Sequence, residues 1–256
     1  MGYNTETNMK KISMLLCAVA ILLMGCGNGT NNGKEGAKEE KGSKVANENS
    51  DPGTVKDQDG NEYKTVKIGQ QVWMAENMRA THDRDGNAIV MDSDLGSQKT
   101  YHTPYRYCPG GSSDNVKKFG YLYNWAAAMK VCPEGWHLPT DTEWTQLTNY
   151  VGTQSQYRCG DNKDYIAKAL ASKTEWDSSS EQCAVGNNPS LNNATGFSAL
   201  PAGGRSGGFC GDACFWSATE QTDNIAYSRS LSLIYASVSC QEVGKQEGMS
   251  VRCVRD

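Results

Sequence analysis

The sequence predicts a mixed α+β domain of two to three helices and several strands, joined by long irregular loops and cross-linked by disulfides. Strand-like alternation of apolar and polar residues occurs near residue 60 and again near the end of the chain, and apolar residues recur at helical spacing between these regions. Residues 185–209 are rich in Gly, Asn and Ser, as loops are. The cysteines beyond the N-terminal segment are even in number, which favours disulfides in an exported chain.

The N-terminal segment resembles a bacterial lipoprotein signal peptide. From Met9 the chain carries two lysines, an apolar run from Ile12 to Met24, and then Gly25 and Cys26. The apolar run is too short for a transmembrane helix, which needs about 20 residues. Residues 23–26 (LMGC) resemble the lipobox, which predicts cleavage before Cys26 and attachment of diacylglycerol and palmitate-type acyl chains to it. Translation is expected to begin at either Met1 or Met9.

The chain is therefore divided into a signal peptide (1–25), the lipidated Cys26 with a flexible tether (26–53) and a folded domain (54–256). The tether consists mostly of Gly, Asn, Lys and Glu and has little to bury. The expected location is the bacterial cell envelope, at the outer membrane or cell surface, with the lipid as the membrane partner. The formal net charge is −4, and no run of Lys and Arg indicates a nucleic-acid partner.

Three strands are predicted at the start of the domain, near residues 54–57, 62–68 and 71–74. Residues 59–61 (Asp-Gly-Asn) lie between the first two and are typical of a hairpin turn, because Gly and Asn tolerate a positive φ. A further strand is expected within residues 225–238.

The last strand is predicted within residues 248–256, where side chains should alternate between two faces. One face carries Met249, Val251 and Cys253, and the other carries Ser250, Arg252 and Val254.

Two longer helices and one shorter helix are predicted between these strands. The first, within residues 119–132, has a stripe at the spacing i, i+3, i+4, i+7 formed by Leu122, Trp125, Ala126 and Met129. The second starts at Thr140, which forms a T-x-x-E capping box with Glu143. Its buried stripe is expected to contain Trp144, Leu147 and Val151. The third is expected around residues 164–172.

Residues 83–94 (DRDGNAIVMDSD) have the acidic spacing of a calcium loop, with acids or Asn at loop positions 1, 3 and 5. However, Ala88 occupies the position where the EF-hand loop requires Gly, and Asp94 replaces the final Glu. An ordinary Asp-Gly turn is the favoured interpretation, and no metal or other cofactor is expected.

His137 lies in the stretch CPEGWHLPT, between residues whose expected roles are structural. A catalytic base needs a nucleophile or acid partner, and neither a G-x-S-x-G motif nor a second His accompanies it. We therefore expect His137 to form hydrogen bonds within the framework of the fold.

A set of motifs identifies a family. The motifs are DGNEYKTVKIGQQVWMAENM, FGYLYNWAAAM, CPEGWHLPTDTEWTQL, GFSALPAGGR, FWSATE and MSVRCVRD. In order and spacing they resemble the Fibrobacter succinogenes major paralogous domain family over about residues 54–256. The motif WHLPTDTEW is also distantly similar to formylglycine-generating-enzyme-like domains. The resemblance implies a C-type-lectin-like fold, with helices on a twisted antiparallel sheet, in a family whose biochemical function is uncharacterised.

The resemblance also implies a disulfide, because lectin-like folds commonly connect a cysteine near a helix to the last strand. Here that bond would join Cys132 to Cys253. A second pair, Cys159 with Cys183, is expected because both flank the third helix. Cys210 with Cys214 is a third candidate pair, whereas Cys108 and Cys240 are left unassigned.

The function expected is non-catalytic binding of a glycan or surface protein through loops between Thr174 and Trp216. The candidate ligand residues are Trp176, Arg205, Phe209, Phe215 and Trp216. The aromatic residues among them could instead belong to the core. No EPN, QPD or WND motif is present, so the calcium-bridged sugar site of vertebrate C-type lectins is not expected.

Two alternatives remain open at this point. The domain could be a structural component of the envelope without a soluble ligand. It could also be an oxidoreductase of the formylglycine-generating type, which uses a close cysteine pair with copper, and Cys210 with Cys214 is the candidate pair. Their GGFCGDACFW context does not match the active-site pattern of that group.

Overall fold

The computed structural model describes residues 53–95 and 100–256. The predicted signal peptide, Cys26 and almost all of the tether lie outside this part. Strands lie at Thr54–Lys56 (β1), Glu62–Ile68 (β2), Gln71–Met74 (β3), Val90–Met91 (β4), Tyr105–Tyr107 (β5), Leu122–Tyr123 (β6), Trp136–His137 (β7), Asp212–Thr222 (β8), Ile225–Ser232 (β9), Ser239–Gly244 (β10) and Val254–Arg255 (β11). Helices lie at Asp92–Leu95 (α1), Val116–Phe119 (α2), Trp125–Val131 (α3), Asp141–Thr153 (α4) and Ala167–Leu170 (α5). Among these described helices, none is long and apolar enough to cross a membrane.

The largest sheet is antiparallel and brings the two ends of the domain together. Its strand order is β1-β2-β3-β11-β7. Val254 of β11 pairs with Trp73 on one side and with His137 on the other. The three strands predicted near the start of the domain are confirmed, and Gly60 in the first turn has a φ of +82°. A side chain at that position would be strained, which is why the turn contains Gly.

Two three-stranded sheets complete the mixed α+β fold. One is an antiparallel meander of β8, β9 and β10. The other joins β4 and β5 in parallel and β5 and β6 antiparallel. The strand predicted within residues 225–238 is confirmed as β9, and residues 185–209 contain no strand or α-helix.

Helix α3 is shorter than predicted, and its buried face is rotated. Leu122 belongs to β6, and the helix begins after Asn124, whose side chain accepts a hydrogen bond from the Ala127 N–H at 3.1 Å. The buried residues of the helix are Ala127, Ala128 and Val131, whereas Met129 is 39% exposed. The predicted stripe was wrong because its first member lies in a strand, so the helical spacing started from the wrong residue.

Helix α4 forms as predicted. The Thr140 hydroxyl accepts from the Glu143 N–H at 3.2 Å, and the Glu143 carboxylate accepts from the Thr140 N–H at 2.8 Å. Trp144 packs in the core with its ring centroid 4.8 Å from that of Trp73. Leu147 and Val151 are fully buried in the same cluster, which joins α4 to the largest sheet.

Two disulfides cross-link the domain, and both pairings were predicted. Cys132 is bonded to Cys253 across 121 residues, and Cys159 to Cys183 across 24 residues. In the chain-entropy account, the longer bond restricts the unfolded chain more strongly.

The predicted pairing of Cys210 with Cys214 is wrong, because both thiols are free. Cys214 lies on β8 and packs beside the core cluster that contains Trp216. Cys210 lies in the turn before β8, and its carbonyl accepts a hydrogen bond from the Asp177 N–H at 2.9 Å. Cys108 and Cys240 are also free.

Residues 249–254, where alternating faces were predicted, are buried on both faces. Met249, Val251 and Cys253 pack in one core cluster, and Val254 packs in another. Arg252 is 1% exposed and lies between them. Its guanidinium donates to Asn77 Oδ1 at 2.6 Å and to three backbone carbonyls, so each of its three nitrogens has a partner inside the protein.

Candidate functional site

Residues 57–61 (DQDGN) and 83–87 (DRDGN) form two similar Asp-Gly turns, which we call the DxDGN turns. In the second, the Asp83 carboxylate accepts from the Asp85 N–H at 3.0 Å and from the Asn87 N–H at 2.8 Å. The Asn87 side chain donates to both of its oxygens. Throughout residues 53–95 and 100–256, no group of three or more His, Cys, Asp and Glu is arranged to hold a metal ion. The hydrogen bonds of Asp83 close an Asp-Gly turn over residues 83–87.

His137, on β7, contacts the start of α4 and the residue that follows β11. Its Nε2 lies 2.8 Å from Glu143 Oε1, and its Nδ1 lies 2.6 Å from Asp256 Oδ1. The expected hydrogen bonding of His137 within the fold is confirmed.

Three of the candidate ligand residues are core residues, so their assignment to a ligand loop was wrong. Phe215 and Trp216 are 0% exposed, and Trp176 is 8% exposed. Successive side chains of a strand point to opposite faces, so Phe215 and Trp216 enter two different core clusters from β8. The Trp176 indole N–H donates to the Ser172 hydroxyl at 3.0 Å.

The other two candidates, Arg205 and Phe209, line one cleft, which we call the arginine cleft. Its volume is about 540 Å³, within the usual range for small-ligand sites. Three segments form its walls: residues 91–93, residues 107–111 and residues 204–209.

The wall that carries Arg205 is a tight turn held by glycines. The Gly204 N–H donates to the Gly207 carbonyl at 2.8 Å, and the Arg205 N–H donates to the Gly248 carbonyl at 2.9 Å. A Cβ at Gly248 would overlap the ring of Tyr107. Glycine is therefore required there if Tyr107 is to pack against this backbone.

The Arg205 side chain is exposed but held in position. Its guanidinium carbon lies 5.2 Å from the ring centroid of Tyr107, a cation–π contact, and the Tyr107 hydroxyl donates to the Gln246 carbonyl at 2.8 Å. Within the part of the chain that the structure describes, the guanidinium has no hydrogen-bond or ion-pair partner. Its N–H donors therefore remain available to a ligand in the cleft.

Polar and aromatic groups surround Arg205 in the cleft. Asp92 supplies a carboxylate of opposite charge. The Phe209 ring lies edge-on to Phe119, with centroids 5.0 Å apart, which fixes its orientation. The cleft thus combines hydrogen-bond donors, acceptors and an aromatic ring.

The pKa values of the free thiols Cys108, Cys210 and Cys214 are raised, whereas those of reactive cysteines are lowered. Burial raises the pKa of Cys108 although Arg106 opposes the shift, and burial together with Asp177 raises that of Cys210. Burial, assisted by Asp212, raises the pKa of Cys214 to about 12. Nucleophilic and metal-binding cysteines require the thiolate, which these surroundings disfavour.

Comparison with known proteins identifies the family. A family model, the Fibrobacter succinogenes major domain, matches residues 66–255. The chain belongs to this family. No curated protein and no solved structure matches the chain.

The match places most of the described fold inside the Fibrobacter succinogenes major domain, including both disulfides and every wall of the arginine cleft. Strand β1 and the first DxDGN turn precede the matched residues. The sequence predicted Arg205 and Phe209 as candidates but missed Tyr107 and Asp92. The glycines near Arg205 in the sequence indicated that another group packs closely against this backbone. The sequence did not indicate that this group is the ring of Tyr107.

Proposed function

We propose that this Fibrobacter succinogenes major domain is a non-catalytic glycan-binding module of the bacterial cell envelope, attached to the outer membrane or cell surface through lipids on Cys26. The architecture we propose is C-type-lectin-like. An antiparallel sheet, two principal helices and a disulfide from the end of α3 to the segment before β11 support it.

The arginine cleft carries the proposal for glycan binding. Arg205 presents unpaired guanidinium donors, Asp92 lies in the same cleft, and Phe209 offers a ring for stacking. The opposite charges of Arg205 and Asp92 fit a neutral ligand with many hydroxyl groups, because such a ligand both donates and accepts hydrogen bonds. A neutral oligosaccharide has this chemistry.

The state of the thiols supports a non-catalytic role. Oxidation at a cysteine pair with copper would require Cys210 and Cys214 to lie together as thiolates. They extend toward different neighbours, and burial raises the pKa of both.

The test is a glycan array that includes plant polysaccharides, probed with the chain from residue 26 onward carrying Cys26→Ala. We expect saturable binding of a neutral glycan, and Arg205→Ala and Phe209→Ala should each weaken it roughly tenfold or more. Arg84→Ala is the matched control, since Arg84 is exposed and lies outside the cleft.

Two results would contradict the proposal. Absence of binding across the array would favour a protein partner or a structural role in the envelope. Binding that Arg205→Ala and Phe209→Ala leave unchanged would place the ligand elsewhere on the domain.

A further inference from the structure

A second cleft concentrates positive charge. It has a volume of about 340 Å³ and shares no lining residue with the arginine cleft. We call it the basic cleft, and four cationic side chains line it: Lys64, Arg79, Lys117 and Lys118. These residues come from β2, from the segment after β3 and from α2, so the cluster exists only in the folded protein.

Two of these cations are held by neighbouring protein groups. The Arg79 guanidinium donates to the Glu62 carbonyl at 2.6 Å and lies 4.4 Å from the ring centroid of Tyr63. The Lys118 ammonium pairs with Glu175 at 3.0 Å. These contacts fix the position of two positive charges at the wall of the cleft.

The other two cations are available. Lys64 and Lys117 are exposed, and across residues 53–95 and 100–256 neither ammonium has a hydrogen-bond or ion-pair partner. The one carboxylate in the lining, Glu76, accepts from the Lys64 backbone N–H at 2.8 Å. Both ammonium groups therefore remain free to bind an anion.

A buried guanidinium adds to the positive potential from below. Arg252 donates to the carbonyl of Ser198 at 2.8 Å and to Asn77, and both of these residues line the basic cleft. Arg252 has no ion pair within the described residues. Burial lowers its pKa to about 9 although Glu76 opposes the shift, so it remains charged at neutral pH.

The local balance of charge is opposite to that of the whole chain. Five cations lie in or beneath the basic cleft, and Glu76 is the one carboxylate in its lining. Two further carboxylates lie beside it: Glu175, paired with Lys118, and Asp59, which lines an adjoining cleft with Arg79 and Lys117. The chain as a whole has a net charge of −4. A concave site in which one sign of charge predominates raises the local concentration of oppositely charged ligands.

We propose that the basic cleft binds a carboxylated oligosaccharide, a uronate oligomer, independently of the arginine cleft. Lys64 and Lys117 are separate point charges, which fit singly charged carboxylates on successive sugar units. Phosphate recognition favours a free arginine fork, and the Arg79 guanidinium is already bonded to the Glu62 carbonyl. Asn193 and Ser198 add polar groups for sugar hydroxyls.

The test is calorimetric titration of the chain from residue 26 onward, carrying Cys26→Ala, with a galacturonate trimer and its methyl ester. The ester removes the charge and keeps the sugar. We expect the acid to bind more tightly than the ester, and only the affinity for the acid should fall as salt is added. Lys64→Ala with Lys117→Ala should weaken binding at least about tenfold.

The matched control is Lys67→Ala with Lys130→Ala, which removes the same charge from exposed sites outside the cleft. Equal binding of acid and ester, equal effects of the two double variants, or no binding of the acid would each overturn the proposal. Binding to phosphatidylglycerol vesicles but not to the trimer would identify a lipid headgroup instead. Arg205→Ala separates the two sites, since it should leave titration with the trimer unchanged.

Discussion

The imidazole of His137 lies 2.8 Å from the carboxylate of Glu143, the residue that completes the capping box of α4. On its other side it lies 2.6 Å from Asp256, whose backbone N–H donates to the Gly135 carbonyl. Since both ring nitrogens face carboxylate oxygens, both donate hydrogen bonds when the imidazole is protonated. One side chain therefore connects the start of α4 to the segment that follows β11.

This arrangement predicts a pH-dependent contribution of His137 to stability. Burial acts to lower the pKa of His137, but the hydrogen bonds to Asp256 and Glu143 outweigh it and raise the pKa. A raised folded-state pKa stabilises the fold below the unfolded value of about 6.5, and this stabilisation is lost as pH rises through the folded value. His137→Gln should therefore lower the melting temperature more at about pH 5 than at about pH 9. Equal losses at both pH values would contradict this role.

The cap of α4 gives a second prediction. Thr140→Ala removes the acceptor of the Glu143 N–H and should lower the free energy of unfolding by about 0.5–2 kcal/mol. Thr142 is exposed and is the second residue of α4. Thr142→Ala should therefore change the free energy of unfolding by less than about 0.5 kcal/mol. Urea denaturation of the two variants measures the difference, and similar values would argue against the cap.

The buried guanidinium of Arg252 gives a third prediction. Arg252→Met keeps an apolar stem of similar length but leaves Asn77 Oδ1 and the Met74, Phe197 and Ser198 carbonyls without this donor. Buried acceptors without partners are costly, so the free energy of unfolding should fall by about 3–5 kcal/mol.

Arg84→Met is the matched control for this experiment, because Arg84 is exposed in a turn. It should change the free energy of unfolding by less than about 0.5 kcal/mol. A small effect of Arg252→Met in the same urea titration would mean that water or rearranged neighbours replace the guanidinium.

The proposed lipid anchor gives a fourth prediction. Cys26→Ala removes the only residue of the lipobox that can carry the lipid, so the protein should leave the membrane fraction. Cys17→Ala is the control, because it alters a cysteine in the apolar run and keeps Cys26. Fractionation followed by immunoblotting distinguishes them, and a Cys26→Ala variant that still pellets with membranes would exclude this anchor.

Local signals predicted much of the fold. Two of these signals are the capping box at Thr140 and Glu143 and the Asp-Gly turn at residues 59–61. Each depends on a few neighbouring residues, so it can be predicted without the tertiary structure. The stripe proposed for α3 was wrong because periodicity alone does not mark where a helix starts. Asn124, a good N-cap residue, was the signal that would have corrected it.

The chain by itself determined the strands β1 to β3, the start of α4 and, through family resemblance, the Cys132–Cys253 disulfide. Only the tertiary structure decided which aromatic residues are exposed. Phe209 lines a cleft, whereas Phe215 and Trp216 are buried because β8 lies between two core clusters.

The basic cleft likewise has no signature in the sequence. It depends on Lys64, Arg79 and Lys117 together with the buried Arg252, which are far apart along the chain. Which side chains are buried, and which charges lie close together, depends on the distances between residues in the folded protein. Strand pairing and core packing set those distances, and neither is encoded in any single stretch of residues.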